Sequence, residues 1–113
     1  MDHEAVAACC RSMGAATEGY PFGSGALVFK VGGRIFAILV EDSISLKCDP
    51  FLAVALREEF SAVTAGYHLN KRHWNTVRLD GSVPEDVLRE WIEDSYELAL
   101  AGLTRAERAR LHD

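Results

Sequence analysis

The chain has 113 residues, of which 49% are apolar and 26% are charged, and its formal net charge at pH 7 is -5. This length and composition predict a single domain, residues 1–113, with one modest core, and they exclude a disordered chain and a membrane span. The first ten residues carry acids where a secretory signal needs basic residues, so we expect a cytoplasmic protein. The three cysteines predict no disulfide framework, because their number is odd and two are adjacent.

Hydrophobic patterns predict helices at both ends of the chain and strands between them. Gly32 and Gly33 are typical of the tight turn of a hairpin. The order of elements predicts an α+β fold, in which an antiparallel sheet of about five strands carries the N- and C-terminal helices on one face and leaves the other face free. In chain order the predicted elements are a helix over 2–13, a loop or irregular edge over 14–25, strands 26–31, 34–40 and 43–48, a helix that begins at 49, strand 73–79, and a helix that ends near 103.

The starts of two predicted helices carry recognisable signals. Asp49 is the expected N-cap of the middle helix, with Pro50 at its first helical position. Ser82 and Glu85 have the spacing of a capping box at the start of the last helix. Helical spacing predicts the buried side chains of both helices: Leu52, Ala55, Leu56 and Phe60 in the middle one, and Val87, Leu88, Trp91, Ile92, Ser95, Ala99 and Leu103 in the last one.

Basic and aromatic side chains are concentrated in residues 66–79, which we call the basic segment. It contains three lysine or arginine residues and no acid, whereas residues 84–98 contain six acids and one arginine. Because phosphate contacts provide most of the non-specific affinity for nucleic acids, this local charge matters more than the net charge. In the predicted strand the side chains of Trp74, Thr76 and Arg78 share one face, where a tryptophan stacks on bases and an arginine meets phosphate.

Other roles for the basic segment are compatible with the sequence. It would be structural if Trp74 lay in the core and Arg78 paired with the acidic last helix. A metal site of His68 and His73 is disfavoured, because their spacing suits no rigid pair of ligands on a strand and no acid or cysteine lies nearby in the sequence. A catalytic pair is disfavoured because nothing identifies a nucleophile or its base. We therefore predict no catalytic residue, no metal and no cofactor.

The order of several short motifs resembles the MmcQ/YjbR family of small bacterial proteins. The resemblance extends from Thr17 to Leu100, and the motifs are YPFG, KVGGRIFAIL, ISLKCDP, LREEF, VTAGYHLNKRHWNTVRLDGSVPEDVL and SYEL. It implies a frataxin-like (CyaY-like) α+β fold and a predicted DNA-binding domain. The acidic ridge with which frataxins bind iron is not evident in the first helix, which carries only Asp2 and Glu4, so iron binding is not implied. The family residues matched in the basic segment are Gly66, Tyr67, His68, Asn70, Lys71, His73, Trp74, Asn75 and Thr76.

The residues and the resemblance together predict a non-catalytic module that binds DNA. The first alternative is a protein-binding adaptor that uses Trp74 and Arg78 as interface residues. The second is a small-molecule or enzymatic site around His68, His73 and Asn75. The predicted phosphate contacts are Lys47, Lys71, Arg72 and Arg78, and Lys30 and Arg34 are further candidates. Tyr67, His73 and Trp74 are predicted to stack on bases. Asn70 and Asn75 are predicted to form hydrogen bonds to base or sugar, and His68 belongs to the same site.

Overall fold

Residues 1–66 and 69–111, which the computed structural model describes, form four helices and six strands. No helix in this described part of the chain has the length and the apolar content that a membrane span requires. The elements are α1 (His3–Arg11), β1 (Thr17–Gly19), β2 (Leu27–Val31), β3 (Arg34–Leu39), β4 (Ser43–Lys47), α2 (Pro50–Glu59), β5 (Val63–Ala65), β6 (Trp74–Arg78), α3 (Glu85–Ala101) and α4 (Arg105–Arg110).

The strands form one sheet in the order β1-β2-β3-β4-β6-β5, and each neighbouring pair is antiparallel. The predicted α+β class with an antiparallel sheet is confirmed. Two of the described strands, β1 and β5, were not predicted as strands, since each has only three residues and shows no clear alternation. They form because the edges of the sheet offer backbone partners: Thr17 pairs with Lys30, and Val63 pairs with Val77.

A β-bulge in β3 determines which side chains face the helices. Phe29 pairs with Ala37 and Lys30 pairs with Ile35, so Phe36 is the additional residue between two paired positions. The usual alternation is interrupted at this point, and Phe36 and Ala37 are both fully buried. The Phe36 ring packs against the ring of Tyr96 in α3, with centroids 5.3 Å apart.

Helices α1, α2 and α3 cover one face of the sheet, which carries Ile44, Leu46 and Val77. The prediction that the first and last long helices lie on the same face is confirmed, because α1 contacts both α3 and β3. The face opposite the helices is named the open face. Its strand positions include Lys30, Ile35, Ile38, Ser45, Lys47, Trp74, Thr76 and Arg78.

The predicted capping box of the last long helix is wrong. The N-cap of α3 is Pro84 and has no side-chain hydrogen bond, because the Ser82 hydroxyl and amide both donate to the Asp80 carboxylate in the preceding turn. The helix ends at Ala101, two residues before the predicted end near residue 103. A capping box is present at α4, where the Thr104 side chain accepts from the Glu107 amide and the Glu107 carboxylate accepts from the Thr104 amide.

The start of α2 was predicted correctly, but its buried face was predicted only in part. The Asp49 carboxylate accepts from the backbone amides of the first helical turn, and Pro50 begins the helix. Ala53 and Leu56 are buried, whereas Leu52 and Ala55 are exposed. Helical spacing did not identify the buried face, because the first seven residues of this helix are all apolar.

Ser95 joins α3 to two neighbouring strands, and its removal is expected to destabilise the fold. Its buried hydroxyl donates to the Phe36 carbonyl (2.5 Å) and accepts from the Lys47 amide (2.8 Å). We expect Ser95→Ala to lower the free energy of unfolding by about 1 to 3 kcal/mol. The Phe36 carbonyl and the Lys47 amide would both lose their hydrogen-bond partner, and water could not replace it in the buried site. Urea unfolding measures this change, with Ser24→Ala in an exposed loop as the matched control. Equal midpoints for the two variants would contradict this role.

Candidate nucleic-acid interface

The register of β4 and β6 decides which side chains of the basic segment reach the open face. Lys47 lies opposite Trp74, Ser45 opposite Thr76, and Ser43 opposite Arg78. The intervening pairs place Leu46 opposite Asn75 and Ile44 opposite Val77 on the face that the helices cover. The predicted alternation of both strands is therefore confirmed.

Lys47 and Trp74 form the centre of the candidate interface. The Lys47 ammonium lies 5.7 Å from the centroid of the Trp74 ring, within the range of a cation–π interaction. Both side chains are half-buried, and Trp74 is not part of the hydrophobic core. Burial lowers the pKa of Lys47, and the positive charge of Arg34 lowers it further. An anion beside Lys47 would oppose both effects, because it stabilises the charged ammonium.

The loop before β6 presents two exposed cations beside this pair. The Asn70 side-chain oxygen accepts from the Arg72 amide at 2.9 Å, and the His73 amide donates to the Asn70 carbonyl, so Asn70 shapes the turn. Lys71, Arg72 and His73 are exposed, and neither Lys71 nor Arg72 forms an ion pair with another residue that the structure describes. The His73 carbonyl accepts from the Cys48 amide, which fixes the loop beside the end of β4.

Arg57 holds this loop in place, a role that the sequence did not reveal. From α2 its guanidinium donates to the Lys71 carbonyl at 2.9 Å and to the Asn75 side-chain oxygen at 3.2 Å. In the sequence Arg57 is followed directly by Glu58 and Glu59, as in many exposed helix ends. The only available signal was its place in a motif shared with the resembled family.

Asn75 does not lie on the open face. Its side chain is 3% exposed, accepts from Arg57, and donates to the Ala53 carbonyl at 3.2 Å. The hydrogen bonds to base or sugar that were predicted for Asn75 are therefore wrong, since its position in the strand directs it toward α2. The same placement separates it from the exposed His73 and makes Asn75 part of the wall of a cavity between α2 and α3.

The two further candidates for phosphate binding, Lys30 and Arg34, lie on different sides of the sheet. Lys30 lies on the open face, where it pairs with Ile35. Arg34 does not, because the bulge directs its side chain toward the end of α3, where it approaches Gly102. Arg34 is thus removed from the candidate interface.

Arg78 lies on the open face, at the far end of β6 from the loop that carries Lys71 and Arg72, which we call the basic loop. Arg78 lies four positions after Trp74 along the extended strand, which corresponds to about 13 Å. Its guanidinium also binds the Asp80 carboxylate at 3.0 Å. Hydrogen bonds from the Ser82 hydroxyl and amide, and then from Arg78, lower the pKa of Asp80 to about 2. Asp80 therefore stays ionised at neutral pH and offsets part of the charge that Arg78 offers to a phosphate.

Apart from Asp80, which binds Arg78, the acids of the strands and of α3 lie away from this surface. Within the six strands of the described chain, the only acid is Glu18, which pairs with Phe29 on the helix-covered side and binds Arg11. The exposed acids of α3 lie on the helix side of the sheet as well. The helix side therefore carries both acids and arginines, whereas the strand positions of the open face carry cations and no acid.

Two predicted site residues, Tyr67 and His68, lie outside the described residues. Among the residues that are described, no three histidine, cysteine or acidic side chains converge in a group that could hold a metal ion. Cys9, Cys10 and Cys48 are free thiols, and the first two are buried in the core.

The fold and this surface define a small α+β protein with one antiparallel sheet, covered by helices on one side. The chain belongs to the YjbR family, whose model matches residues 11–98. It is 35% identical over 96 residues to YbdF of Escherichia coli O157:H7, covering 81% of this chain and 79% of that protein. It is 40% identical over 86 residues to YjbR of Escherichia coli K12, covering 73% of each chain.

Solved structures resemble the fold closely. Deinococcus radiodurans protein DR2400, which contains the family domain DUF419, superimposes with a TM-score of 0.90 at 37% identity, covering 98% of this chain and 88% of that one. A protein from Pseudomonas syringae superimposes with a TM-score of 0.78 at 24% identity, covering 88% of this chain and 99% of that one, which supports the fold alone.

Proposed function

We propose that the open face and its adjoining loop bind DNA in the cytoplasm, without catalysing a reaction on it. The observation that carries this proposal is the Lys47–Trp74 pair, with a ring–ammonium distance of 5.7 Å, beside the exposed cations Lys71 and Arg72. The frataxin-like classification that the sequence implies is part of the proposal, and a sheet with helices on one side supports it.

The proposed ligand is a single strand, because a stacking platform on a sheet requires bases that are accessible from their flat sides. Trp74 and the exposed His73 would stack on bases. Lys47, Lys71 and Arg72 would bind the phosphates that flank those bases. Asn70 contributes by shaping the turn that carries Lys71 and Arg72, and Arg57 by holding it.

The two tryptophans provide a direct test, because they lie on opposite sides of the sheet. Trp74 belongs to the open face, whereas Trp91 lies in α3 and packs edge-on against Phe60. In the Trp91→Phe variant, the remaining tryptophan is expected to lose fluorescence when a single-stranded oligonucleotide is added, because stacked bases quench an indole. In the matched Trp74→Phe variant, the fluorescence of Trp91 is expected to stay constant.

Anisotropy of a labelled oligonucleotide, which needs no tryptophan reporter, gives the energetic contribution of stacking. Trp74→Ala is expected to weaken single-strand binding by roughly 1 to 3 kcal/mol, as for stacking residues in other single-strand binding proteins. Quenching of Trp91 with no response from Trp74, in variants that retain the parent circular dichroism, would contradict the proposed surface.

A further inference from the structure

A cavity lies on the helix-covered side of the sheet, between α2 and α3. Its volume is about 510 Å³, within the range of pockets that hold small ligands. Its floor is formed by apolar side chains of the sheet, among them Leu46, Val63 and Val77. The nucleic-acid surface lies on the opposite face, so this cavity has no part in the proposed DNA contacts.

The two helices give the cavity a closed end and an open end. Phe60 and Trp91 meet edge to face with ring centroids 5.1 Å apart, and Trp91 also contributes to the wall. Leu52 of α2 and Leu98 of α3 also line the cavity, with 44% and 42% of their surface exposed, and they mark its mouth. Two large apolar side chains are thus left in water at the entrance of an apolar cavity, which an apolar ligand would cover.

Carboxylates surround the same mouth. Asp49, Asp94 and Glu97 all belong to the cavity wall. The Asp49 carboxylate already accepts hydrogen bonds from two backbone amides at the start of α2. Neither Asp94 nor Glu97 forms an ion pair with any residue in 1–66 or 69–111. Lys47 also borders the cavity, but its ammonium lies over Trp74 on the open face.

Cys48 lies in the cavity wall, and the pKa of its thiol responds to the charged groups nearby. Burial raises its pKa, and the negative charges of Asp49 and then Asp94 raise it further, against the smaller opposing effect of Arg57. The two carboxylates that act on this thiol belong to the cavity wall, and their charge disfavours an anionic ligand beside them and favours a cation.

We propose that this cavity binds a small amphipathic cation, with the apolar body between α2 and α3 and the ammonium group at Asp94 and Glu97. Leu46, Leu56 and Trp91 surround the apolar body. The carboxylates hold the ammonium at the mouth, where it keeps part of its hydration. The ammonium and the carboxylates are then paired with each other. Burying either charge without a partner would carry a large desolvation cost.

The test compares two probes with the same body and opposite charge, phenylbutylamine and phenylvalerate. Both are titrated into the Trp74→Phe variant, so that the remaining fluorescence reports on Trp91 in the cavity wall. Amide chemical shifts of Val63 and Leu98 provide a second measure of binding at the same place. The amine is expected to bind more tightly than the carboxylate by roughly 3- to 10-fold, as for partly exposed ion pairs.

Charge-neutral variants identify the groups that bind the ammonium. Asp94→Asn with Glu97→Gln is expected to remove the preference for the amine and to leave affinity for phenylvalerate equal or higher. Glu93→Gln is the matched control: it removes a carboxylate from the same helix on the side that faces Cys9, outside the cavity wall. It is expected to leave the preference unchanged.

Three results would overturn the proposal. The first is no response of Trp91, Val63 and Leu98 to either probe, which would mean that the cavity takes no such ligand. The second is equal affinity for both probes in the Trp74→Phe parent, which would leave an apolar cavity without preference for a cation. The third is an equal loss of amine binding in Glu93→Gln, which would indicate a general effect of protein charge.

Discussion

Phe36→Ala is expected to lower the free energy of unfolding by about 3 to 5 kcal/mol, because it creates a cavity in the centre of the core. Phe36 is 0% exposed, and its ring contacts the rings of Phe29 and Tyr96 at centroid distances of 6.2 Å and 5.3 Å. The bulge directs both Phe36 and Ala37 toward the helices, so no neighbouring strand residue can occupy the space left by the ring. A typical small domain holds about 5 to 15 kcal/mol in total, so a large fraction of the variant should unfold.

Phe22→Ala is the matched control for this substitution. It removes the same ring from an exposed loop, where Phe22 keeps 67% of its surface in water. Chemical unfolding should therefore give a midpoint close to that of the parent for Phe22→Ala and a much lower one for Phe36→Ala. A loss below about 1 kcal/mol for Phe36→Ala would contradict the described core, because full burial of a phenylalanine is incompatible with so small an effect.

The double variant Lys71→Ala, Arg72→Ala is expected to weaken single-strand binding by roughly 10- to 100-fold at low salt, because two phosphate contacts and their released counterions are lost. The loss should be similar for unrelated sequences, since phosphate contacts carry no sequence information. The slope of log affinity against log salt should also decrease in magnitude by about 1.4, the sum of two contacts on a single strand. Anisotropy of a labelled oligonucleotide measures both quantities.

The control for this variant removes the same charge elsewhere. Arg105 and Arg110 are exposed in α4, which follows α3 and lies beside it, away from the open face. Arg105→Ala, Arg110→Ala should lower affinity only slightly through the weaker long-range field. Comparable losses in the two double variants would show that overall charge, and not the basic loop, determines binding.

Much of the fold could be predicted because its signals are local. The alternation of Ser43–Lys47 predicted the face to which each side chain points, and Asp49 with Pro50 predicted the start of α2. The elements that were missed depend on distant partners. Strands β1 and β5 form the two edges of the sheet because β2 and β6 offer them backbone partners, and the position of Phe36 depends on a register shift that no local pattern reveals.

In the candidate site, too, features with local signals could be predicted and features that depend on distant partners could not. Alternation within one strand was sufficient to predict that Trp74 and Arg78 share a face, and the pairing of β4 with β6 places the predicted contact Lys47 directly opposite Trp74. The structural role of Asn75 could not be predicted, because it depends on Arg57 and the Ala53 carbonyl of a helix distant in the sequence. The pairing of Arg78 with Asp80 was also missed, although the two residues are neighbours in the sequence.

The salt dependence of oligonucleotide binding by the unaltered protein tests the central claim most directly. With phosphate contacts from Lys47, Lys71 and Arg72, the logarithm of the affinity should fall linearly with the logarithm of the salt concentration, with a slope of about -2. Affinity that does not change with salt would contradict the claim and would favour an aromatic-centred protein interface at Trp74. Failure of the folded protein to bind single- or double-stranded DNA at low ionic strength would contradict it outright.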